Sequence, residues 1–296
     1  MIGDREGEVI VDAHVHLLSE ERKVFPLAPR HDLPPPPSGS ADDLVELMDQ
    51  AGVAIALLVQ TPWYGEDNRY FVQSMRRFPG RFAALGYLED PFVPDAPERL
   101  ERQYNEDGFR GVRLHLADPW RNAPDPRIND GVLAGAADPL FRKARALGIP
   151  VQFLNRIPNH PTILAVADRF PDLLLIVDHL GHPDVSEAPS FASSATLFEL
   201  AKRPNVYVKV SNHIKHSRVP YPWRDLHDYQ RRVIDLFGPR RLMWGSNWPM
   251  DLPSPSYLER LDALRTHFPF LTPDERASML GRTVLSLWTP AGSEQD

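Results

Sequence analysis

The stretch Val11-Asp12-Ala13-His14-Val15-His16 ends the first apolar run of the chain and places two histidines one residue apart. Successive side chains of an extended strand point to opposite faces, so this spacing predicts that Asp12, His14 and His16 share one face. Two imidazoles that converge in this way are suited to binding a metal ion. A polar strand end without a ligand would show the same spacing, so the rest of the chain has to separate the two interpretations.

Seven more short runs rich in Val, Ile and Leu follow, and most are succeeded by a segment with helical spacing of apolar residues. This alternation is typical of a parallel sheet covered by helices. Eight such units predict an α/β protein, a (β/α)8 (TIM) barrel, as a single domain over residues 1–296, with the barrel at about 9–288 and a disordered tail at 289–296. The predicted strands are residues 9–14, 53–60, 81–88, 111–116, 149–154, 173–179, 206–211 and 242–247.

The composition excludes several classes of function. The chain has no cysteine, so disulfides and thiolate nucleophiles are absent and a metal ion would be held by nitrogen and oxygen. A net charge of −7 without a basic run argues against nucleic acid or an anionic membrane as a partner. No apolar stretch approaches the roughly 20 residues of a transmembrane helix, and the N-terminus has no signal-peptide core. We therefore expect a cytoplasmic protein with a small-molecule substrate, and the sequence leaves a homo-oligomer open.

The chain is rich in proline, with 31 residues, and two loops follow strand ends at residues 25–39 and 117–130. Loops in these positions build the sites of (β/α)8 barrels. The first loop contains four consecutive prolines, and a stiff, solvated connection without a role would explain it equally well. Neither loop has a readable specificity code, so the sequence does not name the substrate.

Polar side chains collect at the carboxyl ends of the predicted strands, on the face that would line the barrel. A lone histidine at a strand end is usually an ordinary polar residue, but several buried imidazoles are costly without a cation. His14, His16 and His179 are therefore the preferred metal ligands. The full set is His14 and His16 on the first strand, Arg113 and His115 on the fourth, Gln152 on the fifth, His179 on the sixth, Lys209 on the seventh and Asn247 on the eighth.

Arg113 has a different predicted task. A guanidinium group inside a barrel is suited to bidentate capture of a substrate carboxylate, and its structural alternative is an ion pair with Asp12 or Asp178. Trp63 could form part of a pocket wall or only pack a loop. Three further histidines are expected to be ordinary loop residues when taken singly, and these are His182, His213 and His216.

Four stretches resemble the successive motifs of the amidohydrolase-related metal-dependent hydrolases. They occur in the expected order between about residues 9 and 249, and the ordered set is far more specific than any one motif. The resemblance is strongest to the branch with the sugar lactonases and 2-pyrone-4,6-dicarboxylate lactonase, and aminocarboxymuconate-semialdehyde decarboxylases are more distant. The stretches are Val11-Asp12-Ala13-His14-Val15-His16, Gly108-Phe109-Arg110-Gly111-Val112-Arg113, Val177-Asp178-His179-Leu180-Gly181 and Trp244-Gly245-Ser246-Asn247-Trp248-Pro249.

The resemblance implies a barrel enzyme in which His14, His16 and His179, with Asn247, occupy the metal-ligand positions. Zn²⁺ is the first candidate for such an imidazole-rich site and Mn²⁺ the second. A divalent ion there would polarise a carbonyl group and acidify a bound water. The residues expected to bind the substrate are Arg110, Arg113, His115, Gln152 and Trp63.

One position departs from the family pattern. The eighth strand usually carries an aspartate that binds the metal or acts as general base, and here the residue is Asn247. An amide can ligate a metal and orient water, but it cannot take a proton at neutral pH. Asp251, His179 or His182 could act in its place.

Taken together, these features predict a hydrolase that opens a lactone, or a similar ester, of a small carboxylated or hydroxylated molecule. His179, Asn247 and Asp251 are the residues expected to take part in catalysis. Two alternatives remain from the sequence: a metal-dependent decarboxylase with a similar site, and a non-catalytic barrel that binds a ligand.

Overall fold

The computed structural model describes residues 8–29, 36–118 and 123–288, so the predicted tail and parts of both loops lie outside it. Eight parallel strands form one sheet, in which neighbouring strands follow the order of the chain. Every predicted strand is present, and the predicted (β/α)8 barrel is confirmed. The strands are β1 (Ile10–Val15), β2 (Val53–Val59), β3 (Phe82–Tyr87), β4 (Val112–His115), β5 (Val151–Leu154), β6 (Leu175–Val177), β7 (Val206–Val210) and β8 (Leu242–Trp244).

Helices connect the strands and pack around them. The α-helices are α1 (Ala41–Ala51), α2 (Arg69–Arg77), α3 (Ala96–Asn105), α4 (Pro126–Leu133), α5 (Asp138–Ala146), α6 (His160–Arg169), α7 (Ala195–Leu200), α8 (His213–His216), α9 (His227–Phe237), α10 (Tyr257–Arg265), α11 (Pro273–Ala277) and α12 (Thr283–Leu287). A π-helical segment (Ser278–Arg282) precedes α12, and a two-stranded ribbon (Ala117–Asp118 with Ala123–Pro124) follows β4. Within the described residues, no helix combines the length and apolar character needed to cross a membrane.

The barrel closes between β1 and the segment just beyond β8. The backbone N–H of Asn247 donates to the carbonyl oxygen of His14 at 2.8 Å, and that of His16 donates to Trp248 at 2.7 Å. Gly245 lies in this seam, where an added Cβ would come within 2.7 Å of the His14 Cβ. The close approach of the two strands therefore requires a residue without a side chain.

Alternate side chains of the strands pack in two layers. One cluster fills the barrel interior toward its amino-terminal end, and it includes Val284 of α12 and Trp288 just after that helix. The larger cluster lies between the strands and the surrounding helices. The strand residues of the interior cluster are Val11, Ala13, Leu57, Leu85, Ile176 and Met243.

Strand β1 interrupts this alternation. Val11 and Ala13 pack in the interior cluster, whereas Val15 packs in the outer cluster, although regular alternation would put all three on one face. The pairing of β1 with β2 is correspondingly irregular between Asp12 and Val15. An irregularity of this kind redirects the side chains that follow it, and here it turns His14 into the barrel.

The predicted common face of Asp12, His14 and His16 is therefore wrong for Asp12. Its Oδ2 accepts a hydrogen bond at 3.0 Å from the hydroxyl of Tyr257, which packs in the outer cluster. Its Oδ1 accepts from the backbone N–H groups of His14 at 3.0 Å and Ser246 at 2.9 Å. Asp12 thus joins β1 to the segment after β8, and burial raises its pKa to about 6.

We expect Asp12→Ala to lower the free energy of unfolding by about 3 kcal/mol or more, because it leaves three buried donors without an acceptor. Asp12→Asn keeps an acceptor for both backbone N–H groups, and the Tyr257 hydroxyl can turn to accept from the new amide. That variant should lose less than about 1.5 kcal/mol. Urea unfolding of the two variants tests this, and equal losses would contradict the assignment.

Candidate functional site

A cavity of about 950 Å³ is lined by residues at the carboxyl ends of the strands and in the loops that follow them. Burying a small molecule requires a space of this order. Of the residues predicted from the sequence, the wall contains His16, Trp63, Arg113, His115, His179, Asn247 and Asp251. It also contains residues that were not predicted to bind, among them Arg156, His182, Asn212, Lys215 and His216.

The structure does not bring Arg110 or Gln152 to the cavity wall. Arg110 precedes β4 at the amino-terminal end of the barrel, and its Nη1 donates to the carbonyl oxygens of Tyr104 and Phe109 at 3.2 and 3.0 Å. Gln152 is fully buried, and its Oε1 accepts from Lys209 Nζ at 2.5 Å. Neither side chain is therefore placed for the predicted substrate contact.

His14 and His16 converge as predicted, with their Nε2 atoms 3.3 Å apart. The Nδ1 of His16 donates to the carbonyl oxygen of Val59 at 2.7 Å, which fixes its proton there and leaves a lone pair on Nε2. Burial lowers the pKa of His16 to about 3 and also lowers the pKa of His14. Both rings are therefore neutral at pH 7, the form that binds metal ions.

Two adjacent residues after β6 complete the cluster. Nitrogen or oxygen atoms of His14, Asp178 and His179 lie within 4.8 Å of one another, and all three residues are buried. The Nδ1 of His179 is 2.8 Å from the hydroxyl of Ser211. Asp178 is a candidate ligand that sequence reasoning missed, because it was considered only as an ion-pair partner.

Backbone geometry explains how neighbours 178 and 179 both reach the site. Ile176 packs in the barrel interior, so regular alternation points Asp178 inward as well. His179 would then face outward, but its φ of +52° turns the chain so that its ring lies 4.7 Å from that of His14. The two-residue alternation of a regular strand does not predict a residue with positive φ at the strand end.

Arg113 forms the ion pair that the sequence offered as an alternative to substrate capture. Its Nε and Nη2 both donate to Oδ2 of Asp178, at 2.9 and 2.7 Å. Burial disfavours the charged carboxylate, but the Arg113 guanidinium together with His14 and His179 outweighs this, and the pKa of Asp178 lies well below its usual range. Among the described residues, the other oxygen, Oδ1, has no hydrogen-bond partner, and it lies 3.5 Å from His14 Nδ1.

These donors fit a divalent cation. Two nitrogens that bind one tetrahedral zinc ion at about 2.0–2.1 Å lie about 3.3–3.4 Å apart, which matches the spacing of the His14 and His16 nitrogens. The buried, unpartnered Oδ1 of Asp178 supplies an anionic ligand. Lys209 Nζ lies 3.5 Å from His14, and burial lowers its pKa to about 7, which weakens its positive charge as a competitor.

The position that departs from the family pattern lies at the cavity with Asp251. The amide of Asn247 donates to Oδ1 of Asn212 at 3.3 Å. Asp251 pairs through Oδ1 with Lys215 Nζ at 2.6 Å, whereas its Oδ2 is buried and has no hydrogen-bond partner in the part of the chain that the structure describes. Among the described residues that line the cavity, Asp251 is the only carboxylate.

His182 and Arg156 form a second polar pair at the wall. A guanidinium group only donates hydrogen bonds, so the 2.7 Å contact between Arg156 Nη1 and His182 Nε2 makes that nitrogen an acceptor. The one lone pair of the neutral His182 ring is then occupied, which argues against His182 as a general base. Sequence reasoning missed Arg156, although it has the strand parity of Gln152 and lies two residues beyond the end of β5.

Comparisons with known proteins agree with this geometry. The amidohydrolase family model Amidohydro_2 matches residues 11–288, so the chain belongs to this family. It is 33% identical over 251 residues to an L-fucono-1,5-lactonase of Burkholderia ambifaria, across 81% of this chain and 80% of the relative. It is 27% identical over 249 residues to a 2-pyrone-4,6-dicarboxylate hydrolase of Comamonas testosteroni, across 81% and 76% of the two chains.

A solved structure supports the fold. An amidohydrolase of Burkholderia multivorans with bound zinc superposes with a TM-score of 0.73 at 23% identity, across 94% of this chain and 98% of its own. The family match and the two relatives confirm the predicted hydrolase family and its lactonase branch.

The Arg113–Asp178 pair leads to a stability prediction. We expect Asp178→Ala to cost about 3–5 kcal/mol, because it leaves a buried guanidinium without its counter-charge. The double variant Arg113→Met/Asp178→Leu removes both charges and should cost less than about 2 kcal/mol. Urea unfolding in the presence of a chelator measures both without a contribution from bound metal. A double variant as unstable as the single one would refute this account of the pair.

Proposed function

We propose that this member of the amidohydrolase family opens a lactone, or a similarly activated ester, of a small carboxylated or hydroxylated molecule. The observation that carries the proposal is the buried group of His14, Asp178 and His179, with His16 beside His14, next to a cavity of about 950 Å³ whose wall includes His16 and His179. The names of the two relatives, a lactonase and a pyrone dicarboxylate hydrolase, support an ester-type substrate.

The cluster would hold a divalent cation, with zinc as the first candidate because imidazole nitrogens dominate the donors, and manganese as the second. Such an ion polarises an ester carbonyl and increases the acidity of water. The Arg113 guanidinium helps to keep Asp178 ionised. The Val59 carbonyl oxygen holds the His16 proton on Nδ1, so that the lone pair lies on Nε2. These contacts hold the ligands in one protonation state and one orientation.

Asp251 is the proposed general base. It is the only carboxylate among the described residues of the cavity wall, and the bond from Lys215 to Oδ1 fixes the orientation of the carboxylate. The carboxylate takes a proton from water as the water oxygen attacks the carbonyl carbon. The ring C–O bond then breaks, and Asp251 returns the proton to the leaving ring oxygen, which gives a hydroxy acid. Asn247 orients water or substrate through its amide, while Arg113, His115 and Trp63 contact the substrate from the wall.

Metal content tests whether the histidine cluster binds a divalent cation. Protein purified without added metal should contain about one zinc or manganese ion per chain, and His14→Ala/His16→Ala should contain none. His213→Ala is the matched control, because that ring stacks on Trp223 at 5.4 Å and does not line the cavity. Plasma mass spectrometry measures all three proteins. A wild-type protein without metal would refute the Lewis-acid mechanism.

Turnover measurements test the role of Asp251 as general base. On the best substrate of a lactone panel, Asp251→Asn should lower kcat by about 100-fold or more with metal content unchanged, because it removes the proton acceptor. Asp184→Asn removes an exposed carboxylate that pairs with Arg218 and should leave kcat unchanged. Undiminished kcat in Asp251→Asn would reject the assigned base. Release of carbon dioxide in place of a hydroxy acid would identify a decarboxylase.

A further inference from the structure

Arg260 joins helix α10 to the segment that follows β8. Its side chain is buried, with 5% of the residue exposed. Its Nη1 donates to the carbonyl oxygen of Ser246 at 3.1 Å. Its Nη2 donates to that of Met250 at 2.6 Å, and its Nε to that of Pro255 at 3.0 Å. One guanidinium group thus holds residues 246–255, the β8 segment, at three points along its length.

Two of these bonds act on the peptide units that lead into the candidate site. The carbonyl group of Ser246 and the N–H of Asn247 belong to one planar peptide unit, and those of Met250 and Asp251 belong to another. Asn247 and Asp251 both line the cavity, and Asp251 is the proposed general base. Arg260 therefore fixes the orientation of the peptide unit before each of these two residues.

Both residues have a backbone conformation that needs such support. The φ angle is +60° at Asn247 and +64° at Asp251, in the left-handed region that residues other than glycine adopt less readily. This angle describes rotation between a residue and the peptide unit before it. If that unit were free to rotate, φ could return to a negative value and the side chain would turn away from the cavity.

The β8 segment has few donors of its own for its carbonyl groups. Pro249, Pro253 and Pro255 have no backbone N–H. Burial lowers the pKa of Arg260, and attraction by Asp251 is the strongest opposing effect. A guanidinium group nevertheless stays protonated in a protein, so its N–H groups remain available as donors. Arg260 supplies the bonds that the prolines cannot.

We propose that Arg260 is a positioning residue, which holds the β8 segment so that the carboxylate of Asp251 faces the cavity in the orientation needed for proton transfer. The inference rests on the proposed function, in which Asp251 is the general base. Arg260 itself does not line the cavity and acts through the backbone of the segment. It therefore affects the reaction without touching the substrate.

Turnover of a lactone substrate tests this role. Arg260→Met should lower kcat by about 10- to 100-fold and change KM by less than about 3-fold, because the base is displaced while the proposed substrate contacts remain. Arg260→Lys keeps the charge but not the planar set of donors, so it should recover little of the loss. An unchanged kcat, or full recovery in Arg260→Lys, would overturn the proposal. If Arg260→Met does not fold, as shown by thermal melting, Arg260→Gln takes its place.

Arg241→Met is the matched control. Arg241 also donates to three backbone carbonyl groups, those of Ala201 at 2.8 Å, Arg203 at 2.8 Å and Phe237 at 2.9 Å. It immediately precedes β8, at the end of the barrel opposite the cavity. Its replacement should lower the melting temperature, as Arg260→Met does, but leave kcat unchanged. Equal losses of kcat in the two variants would reduce Arg260 to a general contribution to stability.

The effect of Arg260 should also depend on Asp251. In an Asp251→Asn background, where the proton acceptor has been removed, Arg260→Met should lower kcat by no more than about 3-fold further. A loss as large as that in the wild-type background would show that Arg260 does not act through Asp251.

Hydrogen exchange separates this inference from the proposed function, because it needs no substrate. Mass spectrometry should show that backbone N–H groups of the β8 segment exchange about 10-fold faster in Arg260→Met, and at the wild-type rate in Arg241→Met. Unchanged exchange in Arg260→Met would overturn the hold of Arg260 on the segment. Faster exchange in a protein that hydrolyses no lactone would support that hold and fault only the proposed function.

Discussion

The candidate site depends on the break in side-chain alternation between Ala13 and His14. Regular alternation would place His14 on the face opposite Ala13, outside the barrel. An irregular strand leaves backbone groups that need new partners when they are buried. Asp12 accepts from the His14 N–H at 3.0 Å, and Lys209 Nζ donates to the Ala13 carbonyl oxygen at 2.5 Å. Asp12 and Lys209 thus stabilise the irregular backbone that brings His14 inside the barrel, beside His16 at the cavity wall.

Charge balance inside the barrel determines what those imidazoles can bind. A buried charge is tolerated only with partners, and Arg113 has Asp178 while Lys209 has the oxygens of Ala13 and Gln152. Burial keeps the histidines neutral beside these cations. The result is a rigid set of lone pairs together with one carboxylate oxygen, which suits a cation that needs several ligands at once.

The sequence was sufficient to predict the features that follow from regular strand geometry. Strand periodicity is a local property, so all eight strands could be found, and alternation correctly placed His115 at the cavity wall. It failed wherever the backbone leaves the regular strand: Asp12 flanks the irregular part of β1, and the positive φ of His179 hid the inward position of Asp178. Arg156 lay beyond the strand end, where alternation was no longer applied.

The backbone and the side chain of Asn247 have separate tasks. The backbone helps to close the barrel, whereas the side chain lies at the candidate site. Its backbone N–H joins the segment after β8 to His14 while its φ is +60°, a conformation that asparagine and aspartate adopt more readily than most residues. The barrel therefore needs the backbone of this residue and a side chain that tolerates the left-handed region, but not a carboxylate. Its amide bonds Asn212, which has the same φ of +60°, so the two loops are joined without a charge. A proton acceptor can then lie elsewhere on the wall, where Asp251 is the only carboxylate among the described residues.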